Sequence, residues 1–273
     1  MSRLLVAPSY HATHQQLQCT LPPAIILDGS RGMGLGNLAR VYAGQECIIV
    51  EPTDTKGRED QHGTIAVDAI RALYERTRSI ANKRVVIIHN ADRMSHSAQN
   101  ALLKLLEEPP TGTHFILTTH DIEALLPTIR SRALRYSVPP ISEHQSRQLL
   151  ASANLDDTTI KQLLYIAGGR PAQLASLAHD KTARNAAITL AEQASAFLGT
   201  TSRYQRLCIG LDACKDRSSA RAFIDMALTL ASHGLRHRPD TASSDIAERL
   251  LELYDEVSHN ANIRLSLARF VLQ

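Results

Sequence analysis

The chain has 273 residues and a formal net charge of +3 at pH 7, long enough for one large domain or two to three small ones, each burying its own core. So mild a charge neither demands nor excludes nucleic acid, because a basic stripe can exist on a nearly neutral protein. No run of eighteen apolar residues occurs and Met1 to Gln18 lack the apolar core of a signal peptide, which excludes a membrane span and leads us to expect a soluble, cytoplasmic protein.

Met1 to Pro23 is polar and assigns no firm element; its Leu4-Leu5-Val6 reads either as a short strand or as a docking arm. Ala24 to Leu27 is a buried strand that runs into Gly29-Ser30-Arg31-Gly32-Met33-Gly34-Leu35-Gly36. In the phosphate-binding pattern GxxxxGK[ST], backbone amides and a helix N-terminus cradle phosphates, a lysine neutralises them and a hydroxyl holds magnesium. Gly29 and Gly34 keep the glycine spacing, but Leu35 stands at the lysine position and Gly36 at the hydroxyl position. The favoured reading is a tight strand-to-helix turn. Residual anion binding by the amides stays open.

Cys47 to Val50 is a second strand, Pro52 to Gly63 a polar loop, and Thr64 opens a helix with Val67, Ile70 and Tyr74 on one side. Val85 to Ile88 is a third strand, apolar without alternation, as a strand buried on both faces of a parallel sheet should be. Ala98, Ala101, Leu102, Leu105 and Leu106 then recur on one helical face, with Ser95 as the expected N-cap and Pro109-Pro110 as the stop. His114 to Thr119 is a fourth strand and Leu134 to Val138 a fifth. Pro139-Pro140 marks a domain boundary, and Ser142 with Gln145 forms a capping box for the next helix. Ile141 to about Asp180 is helical with a break at Gly168-Gly169-Arg170-Pro171; Lys181 to Gln273 is helical throughout.

Cys19, Cys47, Cys208 and Cys214 contain no CxxC pair, which argues against a zinc knuckle and suits reduced thiols. His11 with His14, and His233 with His237, have spacings that one helical face presents. Gly234 and Pro239 break the second pair's context, and neither pair has a third ligand beside it. We read them as surface histidines and expect no metal.

Three phrases in order, Asn100-Ala101-Leu102-Leu103-Lys104, Leu106-Glu107-Glu108-Pro109-Pro110 and Pro127-Thr128-Ile129-Arg130-Ser131-Arg132, resemble the clamp-loader subunits of bacterial DNA polymerase III. These are AAA+ proteins that place the sliding clamp on primed DNA. The resemblance runs from about Ala24 to the C-terminus. It is strongest over Arg84 to Arg132, with a modest match at Asn260-Ala261-Asn262-Ile263-Arg264-Leu265.

The resemblance implies an α/β AAA+ core over residues 1–140, a small helical lid over 141–180 and an all-α collar over 181–273 that packs subunits into a ring. In an active relative the third strand ends in Asp-Glu, which hold magnesium and position water; here those positions are His89 and Asn90. Asp92 lies past the strand end, Thr119 at the family's sensor position reads as scaffold, and Arg170 is out of register for a second sensor arginine. The four-cysteine module frequent in relatives is missing. With Leu35 and Gly36 this implies the delta-prime type, a stator without ATPase activity or cofactor of its own. Ser131 and Arg132 match the family's Ser-Arg-Cys motif, with Ala133 for cysteine. That makes Arg132 an arginine finger for a neighbouring ATPase; the bland alternative is a solvated basic patch of Arg130, Arg132 and Arg135. Implied partners are gamma/tau and delta subunits, the sliding clamp and, through the complex, primer-template DNA, with no membrane. The alternatives are an active gamma-like ATPase and a degenerate AAA+ adaptor outside replication.

Overall fold

The computed structural model describes residues 6–44, 47–54, 58, 63–77, 84–151, 153–237, 241–258 and 261–272. It divides into two compact units: Met1–Gln145 with Arg170–Gln173, and Ser146–Gly169 with Leu174–Gln273.

Strands that are apolar on both faces need helices on both sides, which parallel crossover connections supply. In the first unit β1 (Ala24–Asp28), β2 (Cys47–Val50), β3 (Arg84–Ile88), β4 (Thr113–Thr119) and β5 (Leu134–Ser137) form one parallel sheet in the order β2-β3-β4-β1-β5. The three central strands divide their side chains between two cores. Ile25, Leu27, Val85, Ile87 and Ile116 pack under α1 (His11–Cys19) and α2 (Leu35–Ala43). Ile26, Val86, Ile88, Phe115 and Leu117 pack under α3 (Val67–Thr77), α4 (His96–Glu107) and the short α5 (Pro127–Arg130). The edge strand β5 departs from the expected pattern: only Tyr136 is even half-buried, and Leu134 is exposed.

The helix α4 follows its sequence signals closely. Ser95 Oγ accepts a hydrogen bond from the Ala98 amide at 3.2 Å, and the helix ends at Glu107 just before Pro109-Pro110. Ala98, Leu102, Leu105 and Leu106 are buried on one face against the sheet. Leu102 is fully inaccessible, so Leu102→Ala should cost about 2–5 kcal/mol, whereas loss of the Ser95 cap should cost about 1 kcal/mol.

Two expectations are corrected. The N-terminal segment is neither strand nor arm from Val6 onward: a 3-10 turn at Pro8–Tyr10 leads into α1, and Val6, Tyr10 and Leu17 are buried in the core around Ile25 and Leu27. A nine-residue polar helix with few apolar positions gives a weak amphipathic signal, so tertiary burial of Leu17 decides it. Leu4 and Leu5 lie outside the described residues. The helix expected from Thr64 begins instead at Val67, because Thr64 bridges to Thr53 and Ile65 to Met94. Its buried residues are Ile70, Leu73 and Thr77. Of the polar loop, Asp54 and Arg58 form an ion pair, and 55–57 and 59–62 lie outside the described residues.

Beyond the Pro139-Pro140 boundary the chain is helical. The expected capping box is formed: the Ser142 amide donates to Gln145 Oε1 at 3.1 Å and the Gln145 amide to Ser142 Oγ at 3.3 Å, opening α6 (Glu143–Leu150). There follow α7 (Asp157–Ala167), α8 (Pro171–His179), α9 (Lys181–Gly199), α10 (Arg203–Ala213), α11 (Arg217–His237), α12 (Thr241–Ser258) and α13 (Ile263–Leu272). The break before α8 is made by Gly168 and Gly169, both with positive φ.

The core of the second unit is built round Phe197, whose ring meets Phe223 edge-on at 5.3 Å and stacks on Phe270 at 5.5 Å. Gly210 lets α10 approach closely, for a Cβ there would lie 3.1 Å from Phe197 and 3.3 Å from Leu267. Burial pushes the Cys214 thiol up to about 12, so it behaves as a small apolar side chain. The side chains of His233 and His237, and residues Pro239 and Asn260, lie outside the described residues. No described helix is long and apolar enough to cross a membrane.

Candidate functional site

In a parallel sheet every strand ends on the same side, and ligands of open α/β sheets bind in the crevice beyond those ends. Here β1 runs into the loop from Gly29 to Gly34, β2 into Glu51-Pro52, β3 into His89-Asn90 and β4 into His120. These ends enclose a cleft of about 530 Å³ lined by Arg31, Gly32, Gly34 to Gly36, Glu51, His89, Asn90, His120 and Ala172.

The glycine loop has the backbone its spacing requires. Gly32 and Gly34 have φ of +83° and +80°, a region that side-chain-bearing residues avoid, and Gly34 is the N-cap residue of α2. The loop is tied from two sides. His120 Nδ1 lies 2.7 Å from the Gly29 carbonyl, and the amides of Ala172 and Gln173 donate to the Gly32 carbonyl at 3.0 and 3.1 Å. A Cβ on Gly32 would lie 2.8 Å from Gln173 Cβ. That glycine is therefore required by space as well as by φ.

At the lysine position, Leu35 is 3% exposed and belongs to the core with Leu38 and Ile87. Its Cδ2 would touch a Cβ on Gly29 at 3.4 Å, so this side chain is folded under the loop. At the hydroxyl position a side chain fits only if the His89 ring turns aside: a Cβ on Gly36 would lie 1.8 Å from His89 Nε2 and 2.1 Å from its Cε1. The imidazole at the end of β3 occupies the space beside the first turn of α2. Sequence reasoning treats Gly36 and His89 as two independent losses; in the structure they are one steric unit.

The His89 pKa lies below the usual imidazole range. Burial is the main cause, the charges of Arg40 and His120 act in the same direction, and Glu51 opposes them. Glu51 is itself paired with Arg40 at 3.5 Å. Asn90 has φ +50°, and its amide donates to Thr118 Oγ1 at 3.0 Å. Asp92 does not line the cleft: its Oδ1 accepts from Thr119 Oγ1 at 3.3 Å and from the His120 amide at 3.2 Å, tying the 3-10 turn after β3 to the end of β4. Thr119 is fully buried in this tie. Sequence reasoning missed Glu51 and His120 as cleft residues, since each acquires its place only from the parallel order of strands, and it gave no role to Arg31 within the glycine loop. Arg170 is buried beside Gly32.

Arg132 stands outside the cleft lining, past the C-terminus of α5. The three arginines of the alternative basic patch are partly or fully exposed, and each has an acidic partner. Arg130 pairs with Glu123 at 2.7 Å, Arg132 with Glu107 at 2.7 Å, and Arg135 with Asp28 across β5 and β1 at 2.5 Å. Ser131 Oγ donates to the Thr128 carbonyl at 3.1 Å, closing the last turn of α5. The histidine pair His11 and His14 is likewise not simply solvated: His11 Nε2 meets the Val6 carbonyl and half-buried His14 Nδ1 meets Tyr42 OH at 2.9 Å.

Comparison with known proteins places this geometry. Residues 45–142 match the family model described as DNA polymerase III, delta subunit. The chain is 34% identical over 129 residues to DNA polymerase III subunit delta' of Pseudomonas aeruginosa, covering 45% of this chain and 38% of that protein. The likeness to DNA polymerase III subunits thus extends over about half of this chain. The gamma subunit of Buchnera aphidicola, 30% identical over 174 residues, matches over 54% of this chain and 48% of its own length. The chain thus spans less than half the length of these curated relatives. Among solved structures, a DNA polymerase III gamma subunit-related protein from Thermotoga maritima superposes with a TM-score of 0.51 at 18% identity, covering 96% of this chain and 97% of that one. The RuvB T158V variant of the same organism gives 0.51 at 12% identity, covering 97% and 84%. The fold, a five-stranded parallel α/β sheet followed by helices, is shared with these solved structures.

Proposed function

We propose that the chain acts in DNA replication as a delta-prime-type subunit of the DNA polymerase III clamp loader, a stator that binds no productive MgATP and lends Arg132 to a neighbouring ATPase. One observation carries the non-hydrolysing part: the His89 imidazole fills the space into which a hydroxyl-bearing side chain at residue 36 would extend. The residues present do not fit the nucleotide complex that the fold family implies. No ammonium stands at Leu35, no hydroxyl at Gly36 and no carboxylate at His89 or Asn90, so neither phosphate charge nor magnesium finds its usual partner. An active gamma-like ATPase would need all four positions compensated.

On this reading residues 1–140 form the AAA+ core, 141–180 a lid and 181–273 a collar joining gamma/tau and delta subunits in a cytoplasmic complex that handles the sliding clamp and primed DNA. The parallel sheet and the glycine loop with its αL residues support the first assignment; the phenylalanine-centred helical core supports the last. Titration calorimetry with MgATP and a phosphate-release assay test the cleft, and co-elution with gamma and delta from the same source tests the assembly. We expect no binding at micromolar ATP, background turnover and one complex. Micromolar binding, or turnover abolished by a mutation in the glycine loop, refutes the stator reading; failure to co-elute returns the chain to the adaptor class.

A further inference from the structure

We propose that Glu107 is an electrostatic latch on Arg132, holding the guanidinium on its own subunit until a phosphate of the neighbouring subunit displaces it. This rests on the finger reading of Arg132 given above and adds to it a second residue and a direction of control.

The geometry engages both terminal nitrogens of the side chain. Arg132 Nη2 lies 2.7 Å from Glu107 Oε1, while Nη1 donates to the Thr128 carbonyl at 3.1 Å and lies 3.4 Å from Ser131 Oγ. Glu107 is the last residue of α4, and its place is set by the buried Leu102, Leu105 and Leu106 on the same helix. Thr128 lies in α5 and Ser131 is that helix's C-cap. The guanidinium therefore bridges the Glu107 carboxylate at the end of α4 and the Thr128 carbonyl in the single turn of α5. The edge between Nη1 and Nη2, one of those with which a guanidinium grips a phosphate through two parallel N–H bonds, is the edge these partners now use.

Glu107 also carries the same sign of charge as the incoming phosphate, so engagement means exchange of carboxylate for phosphate. Arg130, the neighbouring cation on α5, is paired separately with Glu123. The side chains of Arg132 and Glu107 are 36% and 46% exposed. An ion pair this open is weak, on the order of two- to fivefold in an equilibrium, and is screened by salt. A weak pair suits a latch: it biases the idle state without preventing release.

The test uses the complete complex reassembled with gamma and delta subunits from the same source, with ATP turnover measured in the presence of clamp and primed DNA. Glu107→Gln keeps the shape and an acceptor oxygen but removes the charge. It should raise turnover at the site Arg132 serves roughly two- to fivefold at low ionic strength, read as a smaller rise in total ATPase, and the gain relative to the parent should shrink as salt is raised within the range where the complex still engages DNA. The gain should be absent from an Arg132→Ala, Glu107→Gln double variant, and Glu108→Gln should give none. A fall in turnover for Glu107→Gln, or no change, while Arg132→Ala is damaging, overturns the latch and leaves the finger. If Arg132→Ala is itself without effect, the finger reading fails and the latch falls with it. Thermal melting of Glu107→Gln alone should match the parent, which separates lost control from lost fold.

Discussion

At the cleft above the sheet, the positions that would carry nucleotide chemistry are filled or buried: Leu35 is folded into the core and His89 packs against Gly36. At the corner between α4 and α5, in the same unit, the charged group of Arg132 is kept near the surface and held by a partly exposed ion pair. Filling is hard to reverse, because returning a lysine or hydroxyl means moving packed atoms. An exposed pair exchanges partners at little cost. The comparison teaches that a packed apolar or aromatic side chain fixes one region, whereas a partly exposed ion pair leaves the other able to change partners.

The sharpest way to break that contrast is Arg132→Ala in the assembled complex. On the proposed finger reading, turnover at the neighbouring site should fall on the order of a thousandfold. On that same reading the complex has other sites with fingers of their own, so total ATPase should fall only in part, and clamp loading by more. Arg132→Lys should not rescue it, since an ammonium lacks the planar fork, and Arg130→Ala controls for loss of basic charge. Equal damage from Arg130→Ala, or normal loading by Arg132→Ala, would make the corner ordinary surface.

A smaller effect sharpens the other side. Gly36→Ala should destabilise the chain by about 1–3 kcal/mol in urea unfolding, because the added methyl collides with the His89 ring. The same substitution in a His89→Ala background should cost nothing or stabilise by up to about 1 kcal/mol, the helix gain of Ala over Gly, and that non-additivity is the signature of one steric unit. Additive costs would return Gly36 and His89 to two independent losses.

The smallest effect is with pH. Burial lowers the His89 pKa in the folded chain, so the unfolded chain binds the proton more readily, and folding stability rises with pH across the interval between the two values. The contribution is fully present above the unfolded imidazole value of about 6.5 and is lost as pH falls below it through the folded value. His14, whose pKa is lowered by burial and by the charge of His11, acts in the same sense. Thermal midpoints measured over acidic pH should therefore slope less steeply in His89→Asn than in the parent. An unchanged slope would remove His89 as a contributor.

Much of this was legible from residue order. The unalternating strands around Ile26, Ile87 and Ile116, the Ser95 cap, the Pro109 stop and the Ser142–Gln145 box are local signals, written in periodicity and in short-range hydrogen bonding. The absence of lysine at Leu35 and of acid at His89 needed no structure either. What residue order does not encode is which ends meet. Gly36 and His89 are far apart along the chain, and only the order β2-β3-β4-β1-β5 sets the end of β3 beside the first turn of α2. The same holds for Glu107 and Arg132: one closes α4, the other follows α5, and β4 lies between them in sequence. The N-terminal α1 was illegible for a further reason. Its polar residues give almost no periodic signal, and burial of Leu17 and Tyr10 against the sheet supplies the stabilisation that short helices lack by themselves. Local chemistry thus determined the elements and the missing catalytic groups, whereas the contacts that fill the cleft and hold Arg132 were decided by packing of segments distant in the chain.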